Sequence, residues 1–202
     1  MTLPPPVELG AALPAPSPSP EMLDRLATRR SSPAQALTVP GPDPDQIADI
    51  LTLGARTPDH GKLTPWRFVV MGTETRAGIA ERLAVMATRK GLSPKAVAVL
   101  AKLTAAPTTV LVISTAAPGA KPVWEQELSA GAVCMNIEHA ASALGFASSW
   151  ITDWYSYDAD AAALFGVTEG EKVAGFIHIG TATEPLLERD RPNVASLTTT
   201  LP

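Results

Sequence analysis

Twenty prolines divide this chain of 202 residues into stretches that can be regular and stretches that cannot. Proline fixes φ and lacks a backbone N–H. It is therefore excluded from helix interiors and central strands but accepted in a helix's first turn. Seven of the first twenty residues are proline, which predicts an extended, polyproline-like arm over residues 1–19. Such an arm is either a disordered tail or a strap laid over a partner subunit. Farther along, prolines mark helix starts. Ser19-Pro20 reads as an N-cap and first-turn proline for a helix through Met22, Leu23 and Leu26 to about Arg29. Asp43-Pro44-Asp45-Gln46 adds a capping box and predicts a helix with Ile47, Ile50, Leu51 and Gly54 on one face, ending near Thr57-Pro58. Pro122 opens the longest helix, to about Leu144, in which Val133, Ile137, Ala140 and Leu144 fall at helical spacing. Its small residues, including Ala130, Gly131 and Ala132, allow another helix close, either in the core or at a dimer face.

Between these lie helices at about 74–90, 94–105 and 159–165, and short apolar strands at 67–71, 110–113, 146–151 and 173–179. Four buried strands among helices indicate an α+β or mixed α/β layered fold. Residues 20–202 read as one domain, since the length suits one substantial core. Apolar residues make up 46% and charged residues 18%, so the chain can bury a core. A net charge of −4 gives no reason to expect nucleic acid or an anionic membrane as partner, so any anion site must be local. Cys134 is the only cysteine, which excludes an intrachain disulfide and a cysteine-based zinc cage. It lies in an Ala-rich helical run, where a free thiol behaves as a small hydrophobe. No secretory leader or apolar run of membrane-spanning length is apparent, so the cytoplasm is the expected location.

Several chemistries have no support. There is no G-x-S-x-G elbow, phosphate-binding P-loop, G-x-G-x-x-G after a strand, or H-E-x-x-H. His60, His139 and His178 are scattered, with the last two expected as core histidines, so no metal site is expected. Asp59-His60 lacks a nucleophile and adjacent side chains on a loop diverge. Hydrolysis is not expected.

Two stretches do carry chemistry. Arg29-Arg30-Ser31 places two guanidiniums and a hydroxyl at a helix end. That is either a solvated basic terminus or a grip for a dianionic phosphate, because guanidinium forks match phosphate oxygens. Thr57-Pro58-Asp59-His60-Gly61-Lys62-Leu63-Thr64-Pro65-Trp66 is a loop running into an apolar strand. A loop with exposed backbone amides suits a flat polar cofactor ring. Trp66 reads as the anchor of the strand. In this order and separation the two stretches resemble the FMN-dependent nitroreductase family, in particular its short, minimal members. Trp124-Glu125-Gln126-Glu127 adds to the likeness, which runs from about Arg29 to Arg191.

The resemblance implies a central, mostly antiparallel sheet flanked by helices, and a homodimer with FMN at the subunit interface. It implies that Arg29, Arg30 and Ser31 hold phosphate and ribityl oxygens. It implies that Arg56 and His60 reach the flavin from the neighbouring subunit, His60 as a polar clamp. The segment around Trp150, Ile151 and Thr152 would lie along the flavin ring with a backbone amide toward N5. A main-chain donor there favours the nitrogen that exchanges hydride without requiring a particular side chain. Arg189-Asp190-Arg191-Pro192 resembles a basic element returning to the phosphate through Arg191, although an exposed charge cluster reads equally well. The implied reaction passes hydride from NADH or NADPH to the flavin and on to a small-molecule oxidant, a nitroaromatic or quinone. Reduction of a specific enone or aldehyde, or a flavin-sensing module without turnover, are the alternatives. The chain departs from the family in three places. Pro33 stands where many members have lysine, Ile151 stands where some have a basic residue, and the shortest members lack the proline-rich arm.

Overall fold

The computed structural model describes residues 3–201. Residues 3–19 are largely exposed and precede α1, Pro20–Thr28. The Ser19 hydroxyl accepts from the Met22 N–H at 3.3 Å, as its N-cap position requires. No residue of α1 is buried, and Met22, Leu23 and Leu26 are exposed. A two-residue β1, Leu37–Thr38, precedes α2, Pro44–Gly54. Asp43 and Gln46 close a capping box, the Gln46 N–H donating to the Asp43 carboxylate at 2.8 Å. Then follow β2 (Trp66–Met71), α3 (Thr73–Arg89), α4 (Pro94–Ala98), α5 (Ala101–Ala105) and β3 (Thr108–Ser114). The chain continues through α6 (Val123–Ala143), β4 (Ala147–Ile151), α7 (Ala159–Ala163) and β5 (Lys172–Ala182).

The five strands form one antiparallel sheet in the order β1-β5-β3-β2, with β4 also paired to β5. β3 is central, which explains its unbroken apolar run, because both of its faces are covered. Val110 and Val112 pack with Ala130, Val133 and Ile137 of α6. Leu111 and Ile113 alternate to the opposite core with Leu83 of α3, Leu103 of α5 and Phe176 of β5. Gly54 brings α2 onto α6, since a Cβ there would lie 2.6 Å from Cγ1 of Ile137. Cys134 is buried, and burial pushes its thiol up to about 12. Burial likewise pushes His178 down to about 3, with its Nδ1 2.8 Å from the Thr109 hydroxyl. Trp66 is the anchor expected of it, buried with Nε1 3.3 Å from the Ser129 hydroxyl. Among the described residues no helix is long and apolar enough to cross a membrane.

Five expectations need correction. β1 adds a fifth strand too short to show a pattern. Among the described residues β2 pairs only with β3, and Val70 is exposed, so this edge strand is not buried on both faces. The helix expected at 94–105 divides in two. Its junction is tightened by N–H bonds three residues back, Leu100 to Val97, Lys102 to Val99 and Leu103 to Leu100, which turn Leu100 and Leu103 into the core. α2 ends at Gly54 rather than near Thr57. His139 is half-buried rather than a core histidine.

Candidate functional site

Strand β4 positions the site because one of its edges is open. The Ser148 carbonyl accepts from the Ser32 N–H at 2.9 Å, on the side away from β5. Amide groups alternate sides along a strand, so Trp150, two residues on, also presents its N–H and C=O to that outer edge. Its indole is anchored elsewhere. Nε1 donates to the Ala174 carbonyl at 3.1 Å, and the ring lies over Gly175, where a Cβ would fall 1.9 Å from Nε1. Glycine at 175 is what allows the close approach. Ile151 points its amides back into the sheet, and the Thr152 hydroxyl is hydrogen-bonded to that of Tyr157 at 2.8 Å.

The chain leaving α1 runs beside this edge. The Arg29 guanidinium lies 3.3 Å from the Ser31 hydroxyl and 3.9 Å from the buried Glu138 carboxylate. Glu138 in turn accepts from the Ser148 hydroxyl at 3.1 Å, linking α6 to β4. Arg30 donates through Nε to the Leu187 carbonyl at 3.0 Å. From the C-terminal segment, Arg191 donates to the Arg29 carbonyl at 3.2 Å while paired with Glu188. Two hollows open around these residues. One of about 610 Å³ is lined by Arg25, Arg29, Arg30, Glu138 and Ser148. The other, about 350 Å³, is lined by Arg30, Ser31, Ser32, Pro33 and Glu188. The Ser32 hydroxyl is buried without a hydrogen-bond partner among the described residues. Arginine has five N–H donors, and both Arg29 contacts are long, so most of its capacity is unspent. An orphaned hydroxyl, an underused guanidinium and an open strand edge fit a phosphate-bearing ring cofactor.

Arg56 and His60 lie elsewhere in the same chain, and neither lines these two hollows. Arg56 borders a third hollow, about 490 Å³, with Met22, Leu26, Asn136 and His139. His60 sits in a loop where it, Lys62 and Thr64 all take positive φ, of 54°, 60° and 47°. Such backbone is costly for residues with side chains and persists only when the surroundings hold it. Asp59 holds it, accepting from the Lys62 and Thr64 N–H groups at 2.8 and 2.9 Å. The Thr64 bond first among these keeps the Asp59 carboxyl below its ordinary value. Two amides expected to be free for a cofactor are therefore bound within the loop. His60 turns the other way, Nδ1 hydrogen-bonded to Glu125 and Nε2 3.1 Å from Lys121. Among the described residues no three His, Cys, Asp or Glu side chains gather as a metal site.

One chain thus brings Arg29, Arg30, Ser31 and Arg191 to the Ser148 end of β4 and leaves Arg56 and His60 apart. Trp150, Ile151 and Thr152 follow on the same strand and its exit, and line neither hollow. Ser32 and Glu138 were not anticipated. Ser32 gives no signal in sequence beyond its neighbours. Glu138, a lone carboxylate between Ile137 and the buried Ala140-Ala141, could have been noticed.

The chain has known relatives. The sequence profile of the Nitroreductase family matches residues 26–181. YdjA of Escherichia coli (strain K12), whose name gives it provisionally as an NAD(P)H nitroreductase, is 34% identical over 163 residues, 80% of this chain and 88% of YdjA. A nitroreductase-like family protein from Bacillus cereus superposes with a TM-score of 0.76 at 17% identity, covering 93% of this chain and 99% of its own. A nitroreductase with bound FMN from Bacteroides fragilis superposes at 0.68 and 24% identity, covering 91% and 100%. These structures share the fold of the helix-flanked antiparallel sheet. With profile, relative and fold in agreement, the chain belongs to the nitroreductase family.

Proposed function

We propose that this chain is an FMN-dependent NAD(P)H oxidoreductase of nitroreductase type, acting as a homodimer in the cytoplasm. The observation that carries the reading is the open β4 edge at Trp150 beside the underused Arg29 guanidinium and the orphaned Ser32 hydroxyl. Arg29, Ser31 and Arg191 hold the phosphate, while Arg30 and Ser32 border the sugar-like chain. The main chain of Trp150, Ile151 and Thr152 lies along the ring. When bound, FMN supplies the hydride chemistry that no side chain of this protein can. The protein's part is to bind, orient and hold a neutral donor at the ring nitrogen. The relatives support both ligands: YdjA is named for NAD(P)H, and the B. fragilis structure contains FMN.

Residues 20–202 form the FMN-binding domain and residues 1–19 an arm preceding it. The dimer is supported by two apolar surfaces: Met22, Leu23 and Leu26 on α1, and Trp124 and Leu128 on α6, all exposed in the single chain. In the dimer Arg56 and His60 approach the partner's flavin. The physiological oxidant is a small nitroaromatic or quinone. Purified protein is expected to be yellow and to bleach anaerobically on addition of NADH or NADPH. A colourless protein that fails to take up FMN contradicts the reading, and a yellow one bleached by neither nucleotide points to a sensing module.

A further inference from the structure

Beyond β4 the chain sets an aromatic ring out in water and fixes it there. Tyr157 is 76% exposed, and its hydroxyl is hydrogen-bonded to that of Thr152 at 2.8 Å. The turn beneath it is closed by a capping box between Asp153 and Ser156, the Asp153 N–H donating to the Ser156 hydroxyl at 3.2 Å. The neighbouring Tyr155 is fully buried against Phe165 and Phe176. One ring serves the core. The other has lost rotamer freedom without gaining burial, a cost that a bound ligand offsets.

The exposed ring borders a hollow of about 650 Å³, shared with α7 and the segment entering β5. Ala162, Val167 and Val173 give it apolar walls, and Asp158, Glu169, Glu171 and Lys172 stand at its rim. The pairing of these four decides what charge is left. Asp158 is bound to Lys90 at 2.5 Å, Glu171 to Arg67 at 2.6 Å and Lys172 to Glu127 at 2.6 Å. Glu169 is exposed and has no hydrogen-bond or ion-pair partner among the described residues. The face of a phenol ring is electronegative as well, so ring and carboxylate together attract a cation.

The surroundings select among cations. A primary ammonium brings three N–H donors, while the carboxylates of Asp158 and Glu171 are already engaged. A divalent metal ion needs a set of oxygen ligands, and no three His, Cys, Asp or Glu side chains gather for one among the described residues. An alkylated ammonium has no N–H to satisfy. It can set methyl groups against the alanine and valine walls while its charge meets the ring face and the free carboxylate. We propose that this hollow binds a small quaternary ammonium compound, with Tyr157 supplying the ring face and Glu169 the countercharge. None of Arg29, Arg30, Ser31, Ser32 or Arg191 lines it, and the proposal does not depend on the flavin reading.

The test follows choline chloride by NMR chemical-shift titration into the isotopically labelled full chain with FMN present. The control probe is 3,3-dimethyl-1-butanol, which has choline's shape with carbon in place of the cationic nitrogen. Choline is expected to shift amides of residues 156–159 and 167–173 saturably, and to bind at least about 2-fold more tightly than the neutral probe. Tyr157→Ala and Glu169→Gln are each expected to weaken choline about 1.5- to 5-fold, the range of one exposed cation–π contact or one surface charge pair. Tyr157→Phe keeps the ring and is expected to keep most of the affinity. Glu169→Gln is expected to leave the neutral probe unchanged, which separates lost charge from general damage. Shifts that sodium chloride reproduces, shifts that do not saturate, or equal affinity for the two probes overturn the proposal. Unchanged choline affinity in both Tyr157→Ala and Glu169→Gln does so too. Failure of the chain to take up FMN overturns the flavin reading alone, because choline binding is read on the amides either way.

Discussion

Arg76 and Arg29 carry the same side chain into opposite circumstances. Arg76 is fully buried on α3 and donates to the carbonyls of Met71, Gly72, Leu103, Ala106 and Pro107. It ties α3 and the end of β2 to the segment joining α5 to β3. Burial lowers its guanidinium to about 10, still charged at neutral pH and stabilised by a shell of carbonyl dipoles. Arg29 is part-exposed and engages only a hydroxyl at 3.3 Å and a carboxylate at 3.9 Å. One arginine has spent its donors on the fold. The other has kept them, beside an orphaned serine hydroxyl and an open strand edge. The difference separates scaffold from candidate site better than charge alone, because both groups are cations.

The sharpest way to break that contrast is Arg76→Met. It strands the buried carbonyls of Leu103 and Ala106, each costing about 1–3 kcal/mol when unpaired. A loss of about 3–5 kcal/mol is expected by urea denaturation. A loss under 1 kcal/mol would mean that Arg76 is no staple. Gly175→Ala comes next, since its Cβ would overlap the Trp150 indole. Overpacking of this kind costs about 1–3 kcal/mol. Because the displaced residue belongs to the β4 edge, FMN affinity is expected to fall together with stability. Unchanged FMN affinity would detach Trp150 from the site.

A further test lies in pH. His178 is depressed to about 3 in the folded chain against an ordinary 6.5. The unfolded chain therefore binds a proton first as pH falls. Stability from this group is complete above about 6.5 and is lost between there and 3, at up to about 1.4 kcal/mol per pH unit. Glu171, held at about 2 chiefly by its hydrogen bonds from Arg67, adds a loss below its ordinary 4.5. His178→Gln is expected to flatten the stability profile between pH 6.5 and 4.5, where Glu171 does not yet contribute. An unchanged slope would assign the acid sensitivity elsewhere.

Much of the scaffold was legible because its signals are local. Ser19-Pro20 and Asp43-Pro44-Asp45-Gln46 cap the helices they were expected to cap, and the apolar run of β3 marks a strand covered on both faces. What could not be read depends on partners distant in sequence. β2 looks as apolar as a central strand, and only its place at the sheet edge exposes Val70. The split between α4 and α5 follows from where Leu100 and Leu103 find core. At the site, the Arg29 to Ser31 triplet was visible as chemistry. Its place beside β4 came from Ser32 meeting Ser148 across 116 positions of chain, a pairing no local pattern encodes. The loop after α2 looked like a source of free amides until Asp59 was seen to take two of them.

The central claim is that Arg29 keeps its donors for a phosphate, and titration of the apoprotein with FMN tests it most directly. Arg29→Ala is to be compared with Arg67→Ala, whose guanidinium is already committed to Glu171 at 2.6 and 2.7 Å. A charge-assisted hydrogen bond is worth about 1.5–3 kcal/mol, so Arg29→Ala is expected to weaken FMN binding about 10- to 100-fold. Arg67→Ala is expected to leave it within twofold. Equal FMN affinities for the two variants would contradict the account.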